Sequence, residues 1–284
     1  MLPAALPDHV LDALLADDVP LGDLTTHALG IGDAPARMSF AAREPMVVAL
    51  SEDAARLIGR AGATAVELEA ASGKRLEPGE IILVATGPAA ALHRSWKVAQ
   101  TLVEIASGIA TTTRAIVEAA RSVSPDVAVA CTRKTVPGAK ALSIKAIMAG
   151  GAVPHRLGLS ETVLVFDEHR RFLKDLPAGE IVARLRRTVP EKKIVVEVAT
   201  VDGGALWAAA GADVIQAEKF SPADVAALVQ RLRAAGSATI VAAAGGIGPD
   251  NAAAYAAAGA KVLVTSAPYT AKPRDVQVHL VPQD

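Results

Sequence analysis

The chain has 284 residues, enough for one large or two ordinary domains. It is 51% hydrophobic and only 3% aromatic, and its formal net charge of −1 gives no global attraction to nucleic acid or membrane. One cysteine excludes an intrachain disulfide framework. The sequence has neither a secretory signal nor an apolar run long enough to span a bilayer, so we expect a cytoplasmic protein.

The first third of the chain predicts a small α+β unit. Asp8 is expected to cap a helix, and a non-periodic acidic loop follows over residues 17–26. Apolar residues recur at helical spacing over residues 88–122, with an expected break at Ser107-Gly108. The predicted strands of this unit cover residues 37–49, 64–70 and 80–86.

From residue 127 onward, strands and helices alternate regularly. This alternation predicts parallel pairing with right-handed crossovers, and the short apolar strands are typical of a sheet buried on both faces. Six such strands are compatible with an open sheet or with a closed or incomplete barrel. The predicted strands cover residues 127–132, 162–167, 194–199, 213–218, 239–244 and 261–265. The predicted helices cover residues 140–149, 178–188, 202–210, 222–235 and 250–258.

Several cations lie close together in the segment 131–156. Arg133 and Lys134 directly follow a predicted strand, and His155 and Arg156 follow a glycine pair. Arginine can bind phosphate or carboxylate through two parallel hydrogen bonds, and lysine adds a point charge. The segment therefore predicts a site for a multiply anionic ligand, with a solvated basic loop as the alternative.

Polar residues and glycines also follow the later strands. Glu197 lies inside the third strand, Glu218-Lys219 ends the fourth, Gly245-Gly246 follows the fifth and Thr265-Ser266 ends the sixth. Ligands of parallel sheets and barrels bind at these carboxyl ends, and a glycine pair before a helix can present N–H groups to phosphate. The pattern predicts an anionic, hydroxyl-bearing ligand. A structural salt bridge is the alternative for Glu197.

Four motifs together resemble the quinolinate phosphoribosyltransferase family, also called nicotinate-nucleotide pyrophosphorylase. They are LGDLTT at 21–26, SGIAT at 107–111, TRKTVPG at 132–138 and GGAVPHRLGL at 150–159. The match runs from about residue 15 to residue 270, which is nearly the whole chain.

The resemblance implies an α/β fold with an N-terminal α/β sandwich and an open-faced or incomplete α/β barrel of six to seven parallel strands. On this basis we expect the sandwich at residues 1–106, with 267–284 packed back on it, and the barrel at 107–266. The family also implies a homodimer in which one subunit completes the site of the other. Assembly into a hexamer is left open.

Several positions depart from the family pattern. Lys97 stands where the family has an arginine that reaches across the dimer, and Phe166 stands where it has a lysine of the quinolinate site. Glu218-Lys219 replaces an Asp-Asn pair, and Ala244 replaces a serine. These departures resemble the ModD branch of the family, which is encoded with molybdate-transport genes.

The resemblance implies a phosphoribosyltransferase that uses phosphoribosyl pyrophosphate (PRPP) with Mg²⁺. Its acceptor would be aromatic or heterocyclic but not quinolinate, and its role would be linked to molybdate transport or molybdenum metabolism. The implied catalytic residues are Glu197, Glu218 and Lys134, with Mg²⁺ held by the two glutamates through water and not directly. The implied acceptor and pyrophosphate site comprises Lys97 of the partner subunit, Arg133, Thr135, His155, Arg156, Phe166 and Lys219. The implied phosphate site comprises Ala244, Gly245, Gly246, Thr265 and Ser266.

Two other functions stay open at this point. The same pocket could belong to a non-catalytic binder of a nucleotide, a phosphate ester or an oxyanion. Alternatively, Lys134 or Lys219 could form a Schiff base in a barrel lyase.

Overall fold

The computed structural model describes residues 6–283, which form two compact units. The first unit contains residues 6–114, 136–151 and 268 onward, and the second contains residues 115–135 and 152–267. This division differs from the predicted boundary after residue 106, because residues 107–114 and 136–151 group with the first unit.

The helices and strands succeed one another along the chain, each with the first and last residue given in parentheses. Up to residue 121 they are α1 (Asp8–Asp18), α2 (Leu24–Ala28), β1 (Pro35–Ala42), β2 (Met46–Val47), α3 (Ser51–Arg60), β3 (Ala65–Leu68), β4 (Arg75–Leu76), β5 (Ile81–Pro88) and α4 (Ala89–Arg121). Beyond it they are β6 (Ala128–Cys131), α5 (Lys140–Ala149), β7 (Val153–Pro154), β8 (Val163–Val165), α6 (Asp167–Arg170), α7 (Ala178–Thr188), β9 (Ile194–Val198), α8 (Val201–Ala209), β10 (Val214–Glu218), α9 (Pro222–Ala234), β11 (Ile240–Ala244), α10 (Ala252–Ala257), β12 (Val262–Thr265) and β13 (Val276–Pro282).

The first unit is built on a four-stranded antiparallel sheet in the order β13-β1-β5-β3. Ala36, Met38 and Phe40 alternate along β1 and are buried, as the period of two requires when one face of a sheet covers a core. The strand predicted over 37–49 is wrong in its length, because β1 ends at Ala42 and a separate short strand, β2, pairs with β4.

Helix α4 runs without the break that was predicted at Ser107-Gly108. A Cβ built on Gly108 would collide with the main chain of Lys272 and Pro273, so this glycine permits close packing against the helix. Two N-terminal predictions also need correction. Asp8 is the first residue of α1 and makes no side-chain cap, whereas Asp23 caps a short helix, α2, inside the predicted loop.

The second unit is built on a seven-stranded sheet in the order β7-β6-β12-β11-β10-β9-β8. Every neighbouring pair is parallel, and β7 and β8 form two separate edges, so the sheet is an open half-barrel. The six strands and five helices predicted after residue 127 are confirmed, with small shifts at their ends. The seventh strand, β7, was missed because two residues including a proline carry no periodic signal.

Side chains of parallel strands that are paired in register point to the same face of the sheet. Gln216 pairs with Glu197 on one side and with Ala242 on the other, and Glu218 pairs with Ala244. These residues therefore share the face on which the pocket described below opens. No helix within residues 6–283 is long and apolar enough to cross a membrane.

Candidate active site

A pocket of about 530 Å³ opens at the carboxyl ends of the parallel strands of the second unit. Its position agrees with the rule that ligands of open α/β sheets bind beyond these ends. Most of the predicted site residues line it, namely Arg133, Lys134, His155, Arg156, Phe166, Glu197, Glu218, Ala244, Gly245, Gly246, Thr265 and Ser266.

Three predicted site residues are not among those lining the pocket. Thr135 follows the lining residues of the β6 loop, and Lys219 is exposed just after β10, where its N–H donates to the Ala244 carbonyl. Lys97 belongs to the first unit, where it is exposed on α4 and its Nζ donates to Gln100 Oε1 at 3.1 Å. Its predicted contribution to a partner subunit's site stays a prediction.

Two arginines form the cationic side of the pocket. Arg156 is only 7% exposed, and its guanidinium donates to the carbonyl oxygens of Gly158, Leu159 and Thr162. Burial lowers the pKa of Arg156, and the charge of Arg133 lowers this pKa further. The two cations are thus close enough to repel each other, and an anionic ligand would relieve that repulsion.

His155 lies half-buried beside them, with its main-chain N–H donating to the Cys131 carbonyl at 2.8 Å. Burial and the charge of Arg156 lower the pKa of His155 below its ordinary value, against a smaller opposing effect of Glu161. At neutral pH this side chain therefore offers a neutral imidazole and adds no third charge to the arginines.

The acidic side of the pocket consists of Glu197 and Glu218. Burial raises the pKa of Glu197 and the nearby charge of Glu218 raises it further, while a 2.8 Å hydrogen bond from Gln216 Nε2 acts in the opposite direction. Among residues 6–283, no lysine or arginine forms an ion pair with either carboxylate. The alternative of a structural salt bridge for Glu197 is therefore wrong.

Arg170 holds the main chain of the Glu197 strand and was missed in the sequence. Its Nη1 donates to the Glu197 carbonyl oxygen at 2.8 Å, and its guanidinium lies 5.7 Å from the centre of the Trp207 ring. No local pattern marks such a residue, because its partner is a main-chain atom that is distant in sequence.

Phe166 supplies an apolar wall of the pocket, together with Leu164. Its N–H donates to His169 Nδ1 at 3.0 Å, and its ring stacks on the His169 ring with centroids 5.7 Å apart and planes 18° apart. The aromatic face is therefore fixed in place by its neighbour on α6.

The glycine turn after β11 requires glycine at its first position. Gly245 has a φ of 92°, and a Cβ there would lie 3.0 Å from Lys219 N and 3.2 Å from Glu218 Oε1. Gly246 has a φ of 71°, and a Cβ there would meet no atom within 4 Å. The main chain of Gly246 thus borders open space that a ligand oxygen can enter.

Side chains on both sides hold this turn. Asn251 accepts from Gly248 N and donates to the Gly246 carbonyl, both at 2.9 Å. The Thr265 hydroxyl donates to the Ile247 carbonyl at 2.6 Å and accepts from Ala267 N. Helix α10 begins at Ala252 and has six residues, so the turn itself is the better anion site than the helix start expected near residue 250.

Gln216 is a pocket residue that the sequence reading missed. It is a polar residue inside an apolar strand and lies two positions before Glu218, hence on the same face. The same signal had singled out Glu197, so it was available in the sequence.

The expected Mg²⁺, held by Glu197 and Glu218 through its waters, stays a prediction. The described residues contain no group of three or more His, Cys, Asp or Glu side chains that could hold a metal ion directly. Two carboxylates fit Mg²⁺, which commonly keeps several waters. Burial raises the pKa of Cys131 to about 12, so its thiol is not an available thiolate ligand or nucleophile.

A parallel half-barrel with arginines, paired carboxylates and a glycine turn at its strand ends has the arrangement of a type II phosphoribosyltransferase. The chain belongs to the quinolinate phosphoribosyltransferase family: the family's N-terminal domain matches residues 23–107 and its C-terminal domain matches residues 109–279. The chain is accordingly a phosphoribosyltransferase, an enzyme of the pentosyltransferase class.

Individual relatives agree with this assignment. The chain is 50% identical over 248 residues to a Rhodobacter capsulatus protein named "Putative pyrophosphorylase ModD", covering 87% of this chain and 95% of that one. It is 32% identical over 262 residues to the nicotinate-nucleotide pyrophosphorylase of Mycobacterium leprae, covering 89% of each chain. The resemblance to the family and to its ModD branch is confirmed.

The fold is confirmed in the same way. The crystal structure of NadC from Streptococcus pyogenes superposes with a TM-score of 0.88 at 25% identity and covers 98% of this chain and 97% of that chain. The Schiff-base alternative gains no support, because Lys219 does not line the pocket and Lys134 is exposed, without the apolar surroundings that activate a Schiff-base lysine. The family assignment supports an enzyme rather than a non-catalytic binder.

Proposed function

We propose that this enzyme transfers the phosphoribosyl group of PRPP to an aromatic or heterocyclic acceptor other than quinolinate. The observation that carries the proposal is one pocket in which a cationic side, a pair of carboxylates without ion pairs and an aromatic wall face a common space. Arginines suit the anionic groups of the substrates, the carboxylates suit a positively charged ribose, and Phe166 suits a flat acceptor ring.

The reaction needs a ring nitrogen of the acceptor to bond to ribose C1 while the bond from C1 to pyrophosphate breaks. Positive charge then develops on the ribose, as in glycoside cleavage. Glu197 and Glu218 would stabilise this charge, because neither forms an ion pair with a lysine or arginine among residues 6–283 and a 2.8 Å hydrogen bond from Gln216 Nε2 holds the Glu197 carboxylate. The electron pair of the broken bond leaves with pyrophosphate, whose charge Arg133, Lys134 and Arg156 would bind.

The sugar 5′-phosphate would lie against the turn at Gly245-Gly246, where the main chain borders open space. Mg²⁺, when bound with PRPP, supplies charge neutralisation at the pyrophosphate, and Glu197 and Glu218 would hold it through its waters. Thr265 acts on this site through the Ile247 carbonyl, because its hydroxyl proton is already engaged there.

Phe166 argues against quinolinate as the acceptor. Quinolinate carries two adjacent carboxylates, and a phenyl ring gives neither a charge nor a hydrogen bond to the second one. Losing a charged partner from a desolvated pocket costs about 2–5 kcal/mol, a factor of about 30 to several thousand in binding. An acceptor with one carboxylate or none is the better fit.

Steady-state turnover with PRPP tests this choice of acceptor. Wild type should use nicotinate in preference to quinolinate, and Phe166→Lys should raise kcat/KM for quinolinate, while Phe166→Leu, the uncharged control, should not. A wild-type kcat/KM for quinolinate near about 10⁴ M⁻¹s⁻¹, the lower end of ordinary enzymes, would contradict the proposal.

The proposal includes a homodimer in which Lys97 of the partner subunit completes the site; the alternative of a hexamer built from such dimers can be decided by light scattering. Mixing Lys97→Ala with Glu197→Ala protein should restore part of the activity, because some mixed dimers then hold one intact site. If activity does not return after confirmed subunit exchange, the shared site is wrong.

The resemblance to the ModD branch supports a role linked to molybdate transport or molybdenum metabolism as a further part of the proposal. Molybdate uptake in cells that lack this chain, compared with cells that carry Glu197→Gln in its place, tests the role. Equal uptake in wild-type and deleted cells would contradict it.

A further inference from the structure

The aromatic wall of the pocket begins at one edge of the half-barrel. Among residues 6–283, strand β8 has a neighbouring strand on one side only, β9, and it ends at Val165. Phe166 is the first residue beyond β8, and its backbone is extended, with φ −91° and ψ 169°. An edge position lacks the packing and the main-chain pairing of a central strand. Another group is therefore needed to hold this ring in one orientation.

His169 holds Phe166 through two contacts. The Phe166 N–H donates to His169 Nδ1 at 3.0 Å, and the two rings stack with centroids 5.7 Å apart and planes 18° apart. Phe166 precedes α6, and His169 is the third residue of this helix. In a capping box, a side chain at this third position accepts the N–H of the residue before the helix. One imidazole thus holds both the main chain and the ring of Phe166.

The imidazole packs against the side of the Phe166 ring that is turned away from the pocket. Phe166 lines the pocket, whereas the exposed His169 is not among the residues that line it. A ring stacked between Phe166 and the pocket would itself line it, so the free face of Phe166 is the pocket face. Val165 pairs with Val196, and the next residues, Phe166 and Glu197, therefore follow side by side. The orientation of the Phe166 ring thus sets where a flat ligand lies relative to Glu197.

We propose that His169 is a positioning residue for the acceptor: it holds the Phe166 ring in the orientation against which a flat acceptor binds, and it does not touch the acceptor itself. This inference rests on the proposed function, whose acceptor site it deepens. Without the stacking contact and the hydrogen bond, the Phe166 ring can adopt other rotamers. The apparent affinity for the acceptor then falls in proportion to the fraction of molecules whose ring is correctly placed. PRPP would bind at the arginines, the carboxylates and the glycine turn, so its affinity should be retained.

Two flat probes test the inference. They are nicotinate, which has one carboxylate, and nicotinamide, which has none, each varied at saturating PRPP and also titrated by calorimetry. His169→Ala should raise KM and Kd for the probe by about five- to tenfold, the scale of a stacked aromatic pair with one hydrogen bond. The kcat and the KM for PRPP should stay within about twofold of wild type. His169→Gln keeps an acceptor for the Phe166 N–H and should recover part of the affinity. His279→Ala, at an exposed position on β13, is the control.

A double-mutant cycle separates positioning from a general structural role. In the Phe166→Leu background the ring on which His169 acts is gone, so His169→Ala should change the Kd for the probe by less than about twofold. An equal loss of affinity in both backgrounds overturns the inference, since His169 then acts on some other group. A His169→Ala variant whose Kd for both probes matches that of wild type overturns it as well, as does a loss confined to kcat.

The Phe166 ring can also be observed directly. The chain has four phenylalanines, so protein grown with 4-fluorophenylalanine gives few fluorine NMR signals, and the one missing in Phe166→Leu belongs to Phe166. His169→Ala should shift or broaden this signal, and nicotinate should shift it in wild type. An unchanged signal in either case overturns the inference. The comparison of variants needs no turnover, so it decides the role of His169 even if no acceptor receives phosphoribose from PRPP, the result by which the proposed function would fail.

Discussion

The first and second units each contain a pair of acidic side chains that is at least partly removed from water, but the neighbours of the two pairs differ. In the first unit, Lys145 Nζ lies 2.5 Å from Asp53 Oδ2 and 3.3 Å from Glu52 Oε2. Asp53 also accepts hydrogen bonds from Leu6 N and Arg56 Nη1. In the second unit, Glu197 and Glu218 repel each other and form no ion pair among the described residues.

Because of these different neighbours, the pKa of Glu52 and the pKa of Glu197 change in opposite directions. Burial raises the pKa of Glu52, but hydrogen bonds from Ser72 and the charge of Lys145 act against it, and the net pKa is lowered. Burial also raises the pKa of Glu197, and Glu218 adds to this rise. The acidic side chains of the first unit are paired with cations of the protein. Those of the second unit form no ion pair, so their negative charge is available to a substrate. The comparison contrasts an acidic cluster that is paired within the protein with a carboxylate pair whose proposed role is catalytic.

The largest expected effect is on stability in the first unit. Lys145→Met leaves Asp53, which is fully buried, without its ammonium partner, and should lower the free energy of unfolding by about 3–5 kcal/mol. Urea unfolding measures the change, and Lys261→Met at an exposed lysine is the control. A loss below about 1 kcal/mol would mean that the first cluster is not structural and would remove the contrast.

The next effect is on activity in the second unit. Glu197→Gln removes one of the two charges that face the developing positive charge and should lower kcat by about 10²–10³-fold. Its free energy of unfolding should not fall, because the repulsion with Glu218 is also removed. Glu191→Gln, at an exposed position, is the control. A kcat within threefold of wild type would refute the catalytic role.

The pH dependence of stability should have opposite signs for the two glutamates. The folded pKa of Glu52 is lowered, so its contribution is present above the unfolded pKa and is lost as the pH falls through the folded pKa. The folded pKa of Glu197 is raised, so its contribution is present below the unfolded pKa and is lost as the pH rises through the folded pKa. In urea unfolding from acid to neutral pH, Glu52→Gln should therefore lose stability relative to wild type, and Glu197→Gln should gain it. If the free energy of unfolding of both variants, relative to wild type, changed in the same direction as the pH rises, the comparison would be contradicted.

The smallest effect concerns the backbone directly after Glu218, one of the two proposed catalytic glutamates. Lys219 has a φ of 57°, in the left-handed region that a lysine occupies at a cost and that asparagine tolerates better. Lys219→Asn should raise the free energy of unfolding by about 0.5–1 kcal/mol, with Lys192→Asn as the exposed control. A decrease would show that the lysine side chain stabilises the turn more than its backbone conformation destabilises it.

The amino-acid sequence by itself determined most of the second unit. Short apolar strands and periodic helices are local signals, and their alternation implied parallel strand pairing, while the resemblance to the family implied the incomplete barrel. Because all parallel strands end at the same edge, the order of residues also brought Arg133, Glu197, Glu218 and Gly245 into one pocket. The motifs identified the family because each of them lies within one short segment of the chain.

Only the tertiary structure decided the features that depend on contacts distant in sequence. Gly108 is read as a helix break until the main chain of Lys272 is seen against it. Residues 136–151 belong to the first unit because Lys145 is buried against Asp53, a pairing that no local pattern encodes. The register of β9 and β10 likewise places Gln216 beside Glu197 and leaves its Oε1 unpaired. Periodicity reports which face of an element is buried, but the partner on that face is chosen by the fold.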